Sequence, residues 1–469
     1  MLSILRGALR RTSPAIAVRR MSHQTPQHLL PPVNRAMTTL DRSFFERDVP
    51  LVQAFFSQPK LVGEFTKKFA KDVLKLKKVR NVLRFDDGTR GVLLKEELSS
   101  VSDAQAKLST DAWSFIQTNN VELKPYTLKL DYDFWRSEDI LAAVLPEHLL
   151  TEVPSGFTIT GHIAHLNLRD EFKPYGSLIG QVILDKNPNI RTVVDKVDTI
   201  HAVYRTFPMK VIAGDEDLIV EQRESGCVFQ FDFEKVYWNS RLHTEHDRLV
   251  NMFQEGDLVC DVMAGVGPFS VPAGKKKVFV LSNDLNPDSY KWMTVNLEKN
   301  RVTDFVKPMN LDGRVVIQDC VKYCREFSEE RKGQVSYTSR KRKGEQPVTH
   351  TLTIPKFPKH FVMNLPDSAL EFLNEYGGIY ADYPEMKELA GFELPFVHVY
   401  CFWKFSPDEP EPSMEELHRR VHNRMCEIMD YKLDFDTLQF QFVRQVAPTK
   451  PMFRVTFRLP EELAFRPRK

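Results

Sequence analysis

Alternation between apolar runs and polar turns organises the second half of the chain. Four segments each begin with an apolar run and end at polar, Gly or Pro residues; they are DLVCDVMAGVGPFSVPAG, KVFVLSNDLNPDSYKWMTVNLEKN, VVIQDCVKYCREF and HFVMNLPDSALEFL. Repeated strand–turn–helix units of this kind predict a parallel sheet flanked by helices, which is the α/β fold class. The polar segment 328–350 interrupts the repeat, and we expect it to be a disordered insertion.

The middle of the chain predicts a β-rich domain over residues 121–235. The stretches FTITGHIAHLNL and LIGQVILDKNPNIRTVVDKV are rich in β-branched residues and are broken by turn residues, as strands are. Phe229, Phe231 and Phe233 alternate with polar residues in a further predicted strand. The next stretch, SRLHTEHDRLVNMF (240–253), has apolar residues at helical spacing and predicts a helix at the start of the α/β domain, which we place at 236–469.

Residues 41–120 predict a small N-terminal domain that is amphipathic and rich in lysine. Its segment FTKKFAKDVLKLKKVRNVLRF first has apolar residues at helical spacing and then alternates like a strand. The lysines are either the solvated face of this segment or a surface that contacts phosphates. A proline-containing linker, 26–40, precedes the domain.

The N-terminal stretch MLSILRGALRRTSPAIAVRRMSHQ is rich in arginine and contains no acid; the first acidic residue is Asp41. This composition is typical of a mitochondrial transit peptide, and an ordinary disordered basic tail is the alternative. Met21 directly follows two arginines, and a second start there would give a chain without the signal. We therefore expect a mitochondrial matrix form together with cytoplasmic and nuclear forms.

The charge balance argues against a nucleic-acid partner held by overall charge. The chain of 469 residues has a formal net charge of +2, but residues 1–40 contribute six arginines and no acid, which leaves −4 for the remainder. A nucleic acid would have to be held by a local basic patch. The RKRK cluster at 340–343 is such a patch, a nuclear address or a solvated loop.

Composition also bounds the other classes of function. No run of about 18 uncharged apolar residues occurs, so we expect no membrane span. The six cysteines are scattered and lack a histidine pair at zinc-finger spacing, which predicts free thiols and no metal site. No heptad repeat suggests self-association, and we expect a monomer.

A Gly-rich turn follows the first predicted strand of the α/β domain in LVCDVMAGVGPF, after Asp261. A dinucleotide fingerprint needs Gly or Ala as its third conserved position, where this chain has Ser270, and the Gly-Lys-Ser/Thr of a P-loop is missing too. Asp284 is predicted at the end of a second strand, where it can accept from both ribose hydroxyls. Asp319 is predicted at the end of a third strand, where it can accept from an adenine amino group. This pattern suits S-adenosylmethionine, an adenosine ligand without phosphate, although each acid alone could be a helix N-cap or a surface residue.

Several stretches resemble one family, the archaeal and eukaryotic tRNA (guanine-N1)-methyltransferases that modify the guanosine at position 37, next to the anticodon. The matching stretches are GHIAHLNL, IGQVILDKNPNIRTVV, FEKVYWNSRLHTEHDR, DVMAGVGPFSVPAGKK, NDLNPDSYKWMTVNLEKN, VMNLPDSALEFL and the ending QVAPTKPMFRVTFRLP. The resemblance is weak before about residue 120. It implies a Rossmann-like class I methyltransferase domain, a β-rich α+β domain before it, and a small N-terminal domain that recognises the outer corner of the tRNA.

The resemblance also implies roles for individual residues. Glu245 matches the proposed general base, and Arg205 matches the catalytic arginine. Asn364 and Pro366 match the residues that frame the target base, and Arg241 is a further base-positioning residue. The implied contacts to S-adenosylmethionine are Asp261, Gly265, Gly267, Asp284, Asp319 and Asn364.

The expected function is methyl transfer from S-adenosylmethionine to N1 of guanosine 37 in tRNA, which supports maintenance of the reading frame. One alternative is transfer of the aminocarboxypropyl group of the same cofactor to this tRNA position. The NLP stretch at 364–366 favours methyl transfer, because an amide there suits the edge of the base. A non-catalytic tRNA-binding protein predicts a degraded Gly turn or a lost acid, and neither is seen. An NAD-dependent oxidoreductase is disfavoured by Ser270.

Overall fold

The structure is a computed structural model that describes residues 26–154, 156–196, 204, 206–339 and 346–468. Within them the chain forms two compact units. The first unit comprises residues 26–154 and 169–187, and the second comprises the remainder from 156 onwards. The Arg-rich N-terminal stretch and the RKRK cluster at 340–343 lie outside the described residues.

An antiparallel sheet with the strand order β2-β3-β1-β4 forms the centre of the first unit. Its strands are β1 (Arg47–Phe56), β2 (Val82–Arg84), β3 (Arg90–Leu93) and β4 (Glu122–Leu130). The helices of this unit are α1 (Pro59–Lys68), α2 (Ala104–Lys107), α3 (Thr110–Thr118), α4 (Ser137–Val144) and α5 (Gly176–Lys186). The long β1 is central because it pairs with β3 on one side and with β4 on the other.

The apolar residues of the Lys-rich segment lie in the core of this unit. Phe65 and Phe69 are buried with their ring centroids 5.2 Å apart. Helix α1 ends at Lys68, so Val73 and Leu74 are buried beyond the helix rather than on it. The predicted helix is therefore shorter than the apolar spacing indicated, whereas the strand predicted after it is present as β2.

The second unit contains two small sheets before its main sheet. One has the order β5-β6-β7-β8, and the other is a hairpin of β9 and β10. These strands are β5 (Thr158–Thr160), β6 (Ile163–Leu166), β7 (Thr192–Lys196), β8 (Met209–Gly214), β9 (Ile219–Glu224) and β10 (Cys227–Asp232). The predicted alternation of Phe229, Phe231 and Phe233 is confirmed, because all three side chains are buried.

The main sheet of the second unit is built from the alternating segments of the sequence. The remaining strands are β11 (Leu258–Asp261), β12 (Phe279–Asn283), β13 (Val306–Met309), β14 (Gln334–Ser339), β15 (Val348–Thr353), β16 (His360–Met363), β17 (Phe396–Phe402), β18 (Gln439–Ala447) and β19 (Lys450–Arg458). The helices are α6 (His243–Val250), α7 (Ser270–Lys275), α8 (Pro287–Asn300), α9 (Gly313–Gln318), α10 (Cys320–Glu330), α11 (Met414–Met429) and α12 (Glu461–Ala464).

Seven strands form this main sheet in the order β13-β12-β11-β16-β17-β19-β18. The first five are parallel, and β19 and β18 are antiparallel additions at one edge. Every residue of β11, β12 and β16 is buried, as in parallel sheets covered on both faces. The order reverses at β11 and β16, and ligands of such sheets bind beyond the carboxyl ends of the strands at this point. The predicted Rossmann-like fold is confirmed.

Three local predictions are wrong. Residues 334–339 and 348–350 of the supposed disordered insertion lie in the paired antiparallel strands β14 and β15, in which the rings of Tyr337 and His350 stack. The stretch VVIQDC begins with helix α9 rather than a strand, because the preceding β13 already supplies the third strand. The stretch LIGQVILDK forms most of helix α5, since its apolar residues recur at helical spacing and four of them are buried.

The compact units divide the chain inside the predicted middle domain. Residues 156–168 and 188–235 group with the α/β domain rather than apart from it. All six cysteines are free thiols, as predicted, and five are buried. Among the described helices, none combines the length and the apolar character that crossing a bilayer requires.

Candidate active site

The Gly-rich turn lies between β11 and α7, as the sequence predicts. Gly265 and Gly267 have φ angles of +57° and +94°, which residues with a side chain rarely adopt. A Cβ on Gly267 would stand 2.9 Å from Cγ2 of Val271, so the turn is closely packed on that side. A Cβ on Gly265 would meet no described atom within 4 Å. The backbone at Gly265 is therefore open to a ligand.

Asp284 follows β12 and reaches back to the Gly turn. Its Oδ2 accepts a hydrogen bond from the backbone N–H of Gly265 at 2.8 Å, and its Oδ1 accepts one from the N–H of Asn286 at 2.9 Å. Burial raises the pKa of Asp284, and the two backbone hydrogen bonds oppose this. The structure thus brings together two of the predicted cofactor contacts, Gly265 and Asp284, at the carboxyl end of the sheet.

Asp261 ends β11 and is fully buried. Its Oδ2 accepts a hydrogen bond from the hydroxyl of Ser270 at 2.7 Å, whereas its Oδ1 is buried without a hydrogen-bond partner among the described residues. Burial raises the pKa of Asp261 to about 7; the Ser270 hydrogen bond opposes the rise, and the charge of Asp284 adds to it. A buried carboxyl group with one unused oxygen suits a ligand group that donates a hydrogen bond or carries positive charge.

Asn283, the last residue of β12, joins the ends of three neighbouring strands. Its Nδ2 donates to the carbonyl oxygens of Val262 and Leu311, both at 3.0 Å, and its Oδ1 accepts from the N–H of Leu311 at 2.9 Å. The start of α9 approaches the same place, since a Cβ on Gly313 would stand 2.8 Å from Cγ1 of Val262. Asn283 was not predicted, although an amide beside Asp284 at the end of an apolar strand is a signal of such bridging.

The predicted position of Asp319 at the end of a third strand is wrong. Asp319 lies between α9 and α10, where its Oδ1 is 3.9 Å from Nη1 of Arg468. The third strand is β13, and the acid that follows it is Asp312. Asp312 is exposed and begins α9, where its Oδ1 accepts a hydrogen bond from the N–H of Arg314 at 2.8 Å. Asp312 therefore occupies the strand-end position that was predicted for Asp319.

Asn364 directly follows β16, beside the Gly turn strand in the sheet. Its Oδ1 is buried and has no hydrogen-bond partner in the part of the chain that the structure describes. The following turn is fixed at its far side, because the carbonyl oxygen of Pro366 accepts a hydrogen bond from the N–H of Phe402 at 2.8 Å. Asn364 thus offers a free acceptor at the edge where Asp261 and Asp284 also end their strands.

Glu245 lies on α6 and is buried, with two arginines and a tyrosine around its carboxylate. Its Oε1 accepts hydrogen bonds from Nη1 of Arg454 at 2.8 Å and from the hydroxyl of Tyr400 at 3.0 Å. Its Oε2 pairs with Nη1 of Arg248. The ring of Tyr400 lies 5.9 Å from the ring of Phe269 in the Gly turn, which connects the carboxylate with the turn. Tyr400 and Arg454 were not predicted; Arg454 lies in a matching stretch, but its partner is 209 residues away.

Two further predicted residues have different outcomes. Arg241 is exposed just before α6, and its Nη2 donates to Oγ1 of Thr158 at 3.2 Å. Arg205 lies outside the described residues. The neighbour of Glu245, His246, is buried, and its Nδ1 is 2.5 Å from Oε1 of Glu224, which anchors α6 to β9.

This arrangement can bind a polar ligand and accept a proton. The Gly turn leaves the backbone open, and Asp261 and Asn364 each present a buried acceptor without a described partner. Buried polar atoms of this kind are rare in folded proteins and are often satisfied by a ligand. Glu245 supplies a carboxylate on the helix that precedes β11.

Comparisons with known proteins agree with this geometry. A family model described as the TYW2 N-terminal domain matches residues 137–217, and one described as the TRM5/TYW2 methyltransferase domain matches residues 220–324. The tRNA (guanine(37)-N(1))-methyltransferase of Candida albicans is 50% identical over 450 residues, which cover 94% of this chain and 99% of its own length. The enzyme of the same name from Saccharomyces cerevisiae is 47% identical over 471 residues, covering 92% and 94%.

A solved structure shows the same fold at much lower identity. The crystal structure of Trm5b from Pyrococcus abyssi has a TM-score of 0.53 and 22% sequence identity, and it covers 87% of this chain and 99% of its own. At that identity the likeness concerns the fold alone. The two fungal relatives extend over nearly the whole chain, so the fold and the candidate site lie in one matched region.

Proposed function

This chain belongs to the tRNA (guanine(37)-N1)-methyltransferase family, and from that premise we propose that it transfers a methyl group from S-adenosylmethionine to N1 of guanosine 37 in tRNA. Within the site, the observation that carries the proposal is the 2.8 Å hydrogen bond between Gly265 and Asp284. This hydrogen bond places a carboxylate at the end of β12 next to the open Gly turn. An adenosine ligand without phosphate needs such a carboxylate beside an open turn. Such a modification next to the anticodon supports maintenance of the reading frame.

The residues present fit S-adenosylmethionine. The open backbone at Gly265 admits the methionine part, and the unused Oδ1 of Asp261 suits its ammonium group. Asp284 and Asp312, at the ends of β12 and β13, supply acceptors for the ribose hydroxyls and the adenine amino group. Gly267 is buried, and a Cβ there would stand 2.9 Å from Cγ2 of Val271, so Gly267 shapes the turn rather than contacting the ligand. When bound, the cofactor supplies an electrophilic methyl group on a sulfonium.

Glu245 is the general base in this proposal. N1 of guanine carries a proton and is a poor nucleophile at neutral pH, so an acceptor must take the proton as the methyl group moves. Asn364 can donate to and accept from the edge of the base through its amide. Arg205, outside the described residues, is proposed to stabilise the negative charge that develops towards O6. The target base must leave its stack to reach the cofactor, as in other enzymes that act on a base.

Two labelled cofactors test this reaction. One reaction contains S-adenosylmethionine labelled in the methyl group, and a parallel one contains the cofactor labelled in the methionine carboxyl group. The tRNA transcript carries guanosine at position 37, and a control transcript carries adenosine there. We expect methyl label in the guanosine transcript alone, and none with Glu245→Gln. Carboxyl label in the tRNA would indicate aminocarboxypropyl transfer instead, and bound but unlabelled tRNA would indicate a non-catalytic binding protein.

We also propose a mitochondrial matrix form together with cytoplasmic and nuclear forms. The support is the Arg-rich, acid-free stretch before Asp41 and the methionine at position 21. Fluorescent fusions of residues 1–40 and 21–40 test this: we expect the first to enter mitochondria and the second to stay outside them. We also propose that the protein is a monomer and does not bind membranes. Light scattering after gel filtration should give the mass of one chain.

A further inference from the structure

The two oxygens of the Glu245 carboxylate have different surroundings. Oε1 accepts two hydrogen bonds, from Tyr400 and Arg454, which are both buried. Oε2 pairs with Arg248, whose side chain is 40% exposed, whereas the side chain of Glu245 is 4% exposed. One oxygen is therefore held by the protein interior, and the other has a partner that solvent reaches.

We propose that Tyr400 and Arg454 are positioning residues for methyl transfer, which fix Glu245 through Oε1 and leave Oε2 to receive the proton of guanine N1. Arg248 is the partner that the target base displaces from Oε2. The inference rests on the proposed function, in which Glu245 is the base. Beyond that function, we infer that Oε2 is the oxygen that accepts the proton and that Tyr400 and Arg454 hold the carboxylate in place.

The strand pairing explains why this support is rigid. Tyr400 on β17 lies directly opposite Arg454 on β19, so both side chains leave the same face of the sheet. The Tyr400 ring also contacts Phe269 of the Gly turn, and the position of the base is thereby coupled to the cofactor turn. Burial, together with the neighbouring charge of Glu245, raises the pKa of Tyr400 well above its ordinary value. The hydroxyl therefore stays protonated and remains a donor to Oε1.

The methyl-transfer step involves only the target base, the methyl donor and the carboxylate of Glu245. The bond from N1 to the methyl carbon forms as the bond from that carbon to sulfur breaks, and the sulfur keeps the electron pair. The proton of N1 passes to Oε2 of Glu245, and the N–H electron pair stays on the base. The sulfonium and the carboxylate thus lose their opposite charges together. Hydrogen bonds to Oε1 orient the other oxygen towards the proton throughout.

Single-turnover methyl transfer with Tyr400→Phe is the direct test. We expect the rate to fall roughly 10- to 100-fold, as for the loss of one hydrogen bond to a charged group, with unchanged KM for tRNA and cofactor. The acidic limb of the pH–rate profile should move to higher pH, since a carboxylate that loses a donor holds its proton more tightly. Tyr380→Phe is the matched control: Tyr380 is buried in the same unit, and its hydroxyl has no hydrogen-bond partner among the described residues. This control should keep the wild-type rate.

Variants of Arg454 test the positioning of Glu245, and a variant of Arg248 tests its displacement by the target base. Arg454→Lys should retain more activity than Arg454→Met, because a donor to Oε1 remains. Arg248→Gln should raise the single-turnover rate about two- to five-fold, the equivalent of a partly exposed ion pair that no longer has to break. An unchanged rate in Tyr400→Phe overturns the positioning role, and a rate that does not rise in Arg248→Gln overturns the displacement. Full activity in Glu245→Gln would instead overturn Glu245 as the base, and the absence of methyl label with the wild-type enzyme would overturn the proposed function itself.

Discussion

Replacing Asp261 by Asn should make the folded protein more stable in alkaline solution and less stable in acid. The carboxyl group is fully buried, one of its oxygens has no described partner, and its pKa is raised to about 7 by burial. A carboxyl group whose pKa is higher in the folded state stabilises the fold when it is protonated. That stabilisation is complete below about pH 4 and is lost as the pH rises to about 7. Asn resembles the protonated form at every pH.

The size of this stability difference follows from the pKa values of Asp261 in the unfolded and folded states. The difference between 3.8 and about 7 corresponds to about 4 kcal/mol between the protonated and ionised forms. Asn keeps an acceptor for Ser270 but leaves an amide N–H without a described partner, which costs about 1–3 kcal/mol. We therefore expect Asp261→Asn to gain about 1–3 kcal/mol at pH 8.5. Between pH 8.5 and pH 5.5 this difference should shift against the variant by about 2 kcal/mol.

Urea denaturation at both pH values, followed by tryptophan fluorescence, measures this difference. Groups that titrate identically in both proteins cancel from it. Asp319→Asn is the control, because it makes the same chemical change in the same unit at a side chain that is 38% exposed. It controls for the exchange of a carboxyl group for an amide itself. A difference for Asp261→Asn that is equal at the two pH values would refute the reasoning, since the carboxyl group would then be ionised, or neutral, throughout the range.

Three other predictions concern the same unit. Asp312→Asn should weaken S-adenosylmethionine binding at least about 10-fold in isothermal titration calorimetry, the effect of one lost hydrogen bond to a charged group, whereas Asp319→Asn should not. Gly313→Ala should lower the stability to urea by about 1–3 kcal/mol, because its Cβ would stand 2.8 Å from Val262. Burial and the charge of a neighbouring histidine lower the pKa of His398 well below 6.5, so stability should fall as the pH drops below 6.5, and His398→Gln should weaken that pH dependence.

The sequence predicted the parts of the fold in which local pattern and tertiary role agree. The apolar strand, the Gly turn and the acid of the next strand lie together because parallel strands end at the same edge. Gly265 and Asp284 could therefore be paired without a structure. The helix carrying Glu245 was also recognised, since the apolar residues Leu249, Val250 and Phe253 recur at helical spacing and are buried.

The sequence could not predict contacts that depend on strand order. The short β13 has only four residues, and a helix with β-branched residues follows it, so VVIQDC was mistaken for the strand. This one error moved the strand-end acid from Asp312 to Asp319. The partners of Glu245 were missed for a different reason: Tyr400 and Arg454 meet it only because β19 inserts beside β17 in reverse direction. No spacing in the chain encodes that arrangement.

Two buried carboxyl groups in one unit thus have distinct chemistry because their partners differ. Asp261 has one hydroxyl donor and one oxygen without a described partner, and burial raises its pKa to about 7. Glu245 has a guanidinium on each oxygen, Arg454 on Oε1 and Arg248 on Oε2. In the proposed mechanism, the proton of guanine N1 reaches Oε2 only when the target base has displaced Arg248. The ion pair on Oε2 would thereby couple proton removal to arrival of the correct base.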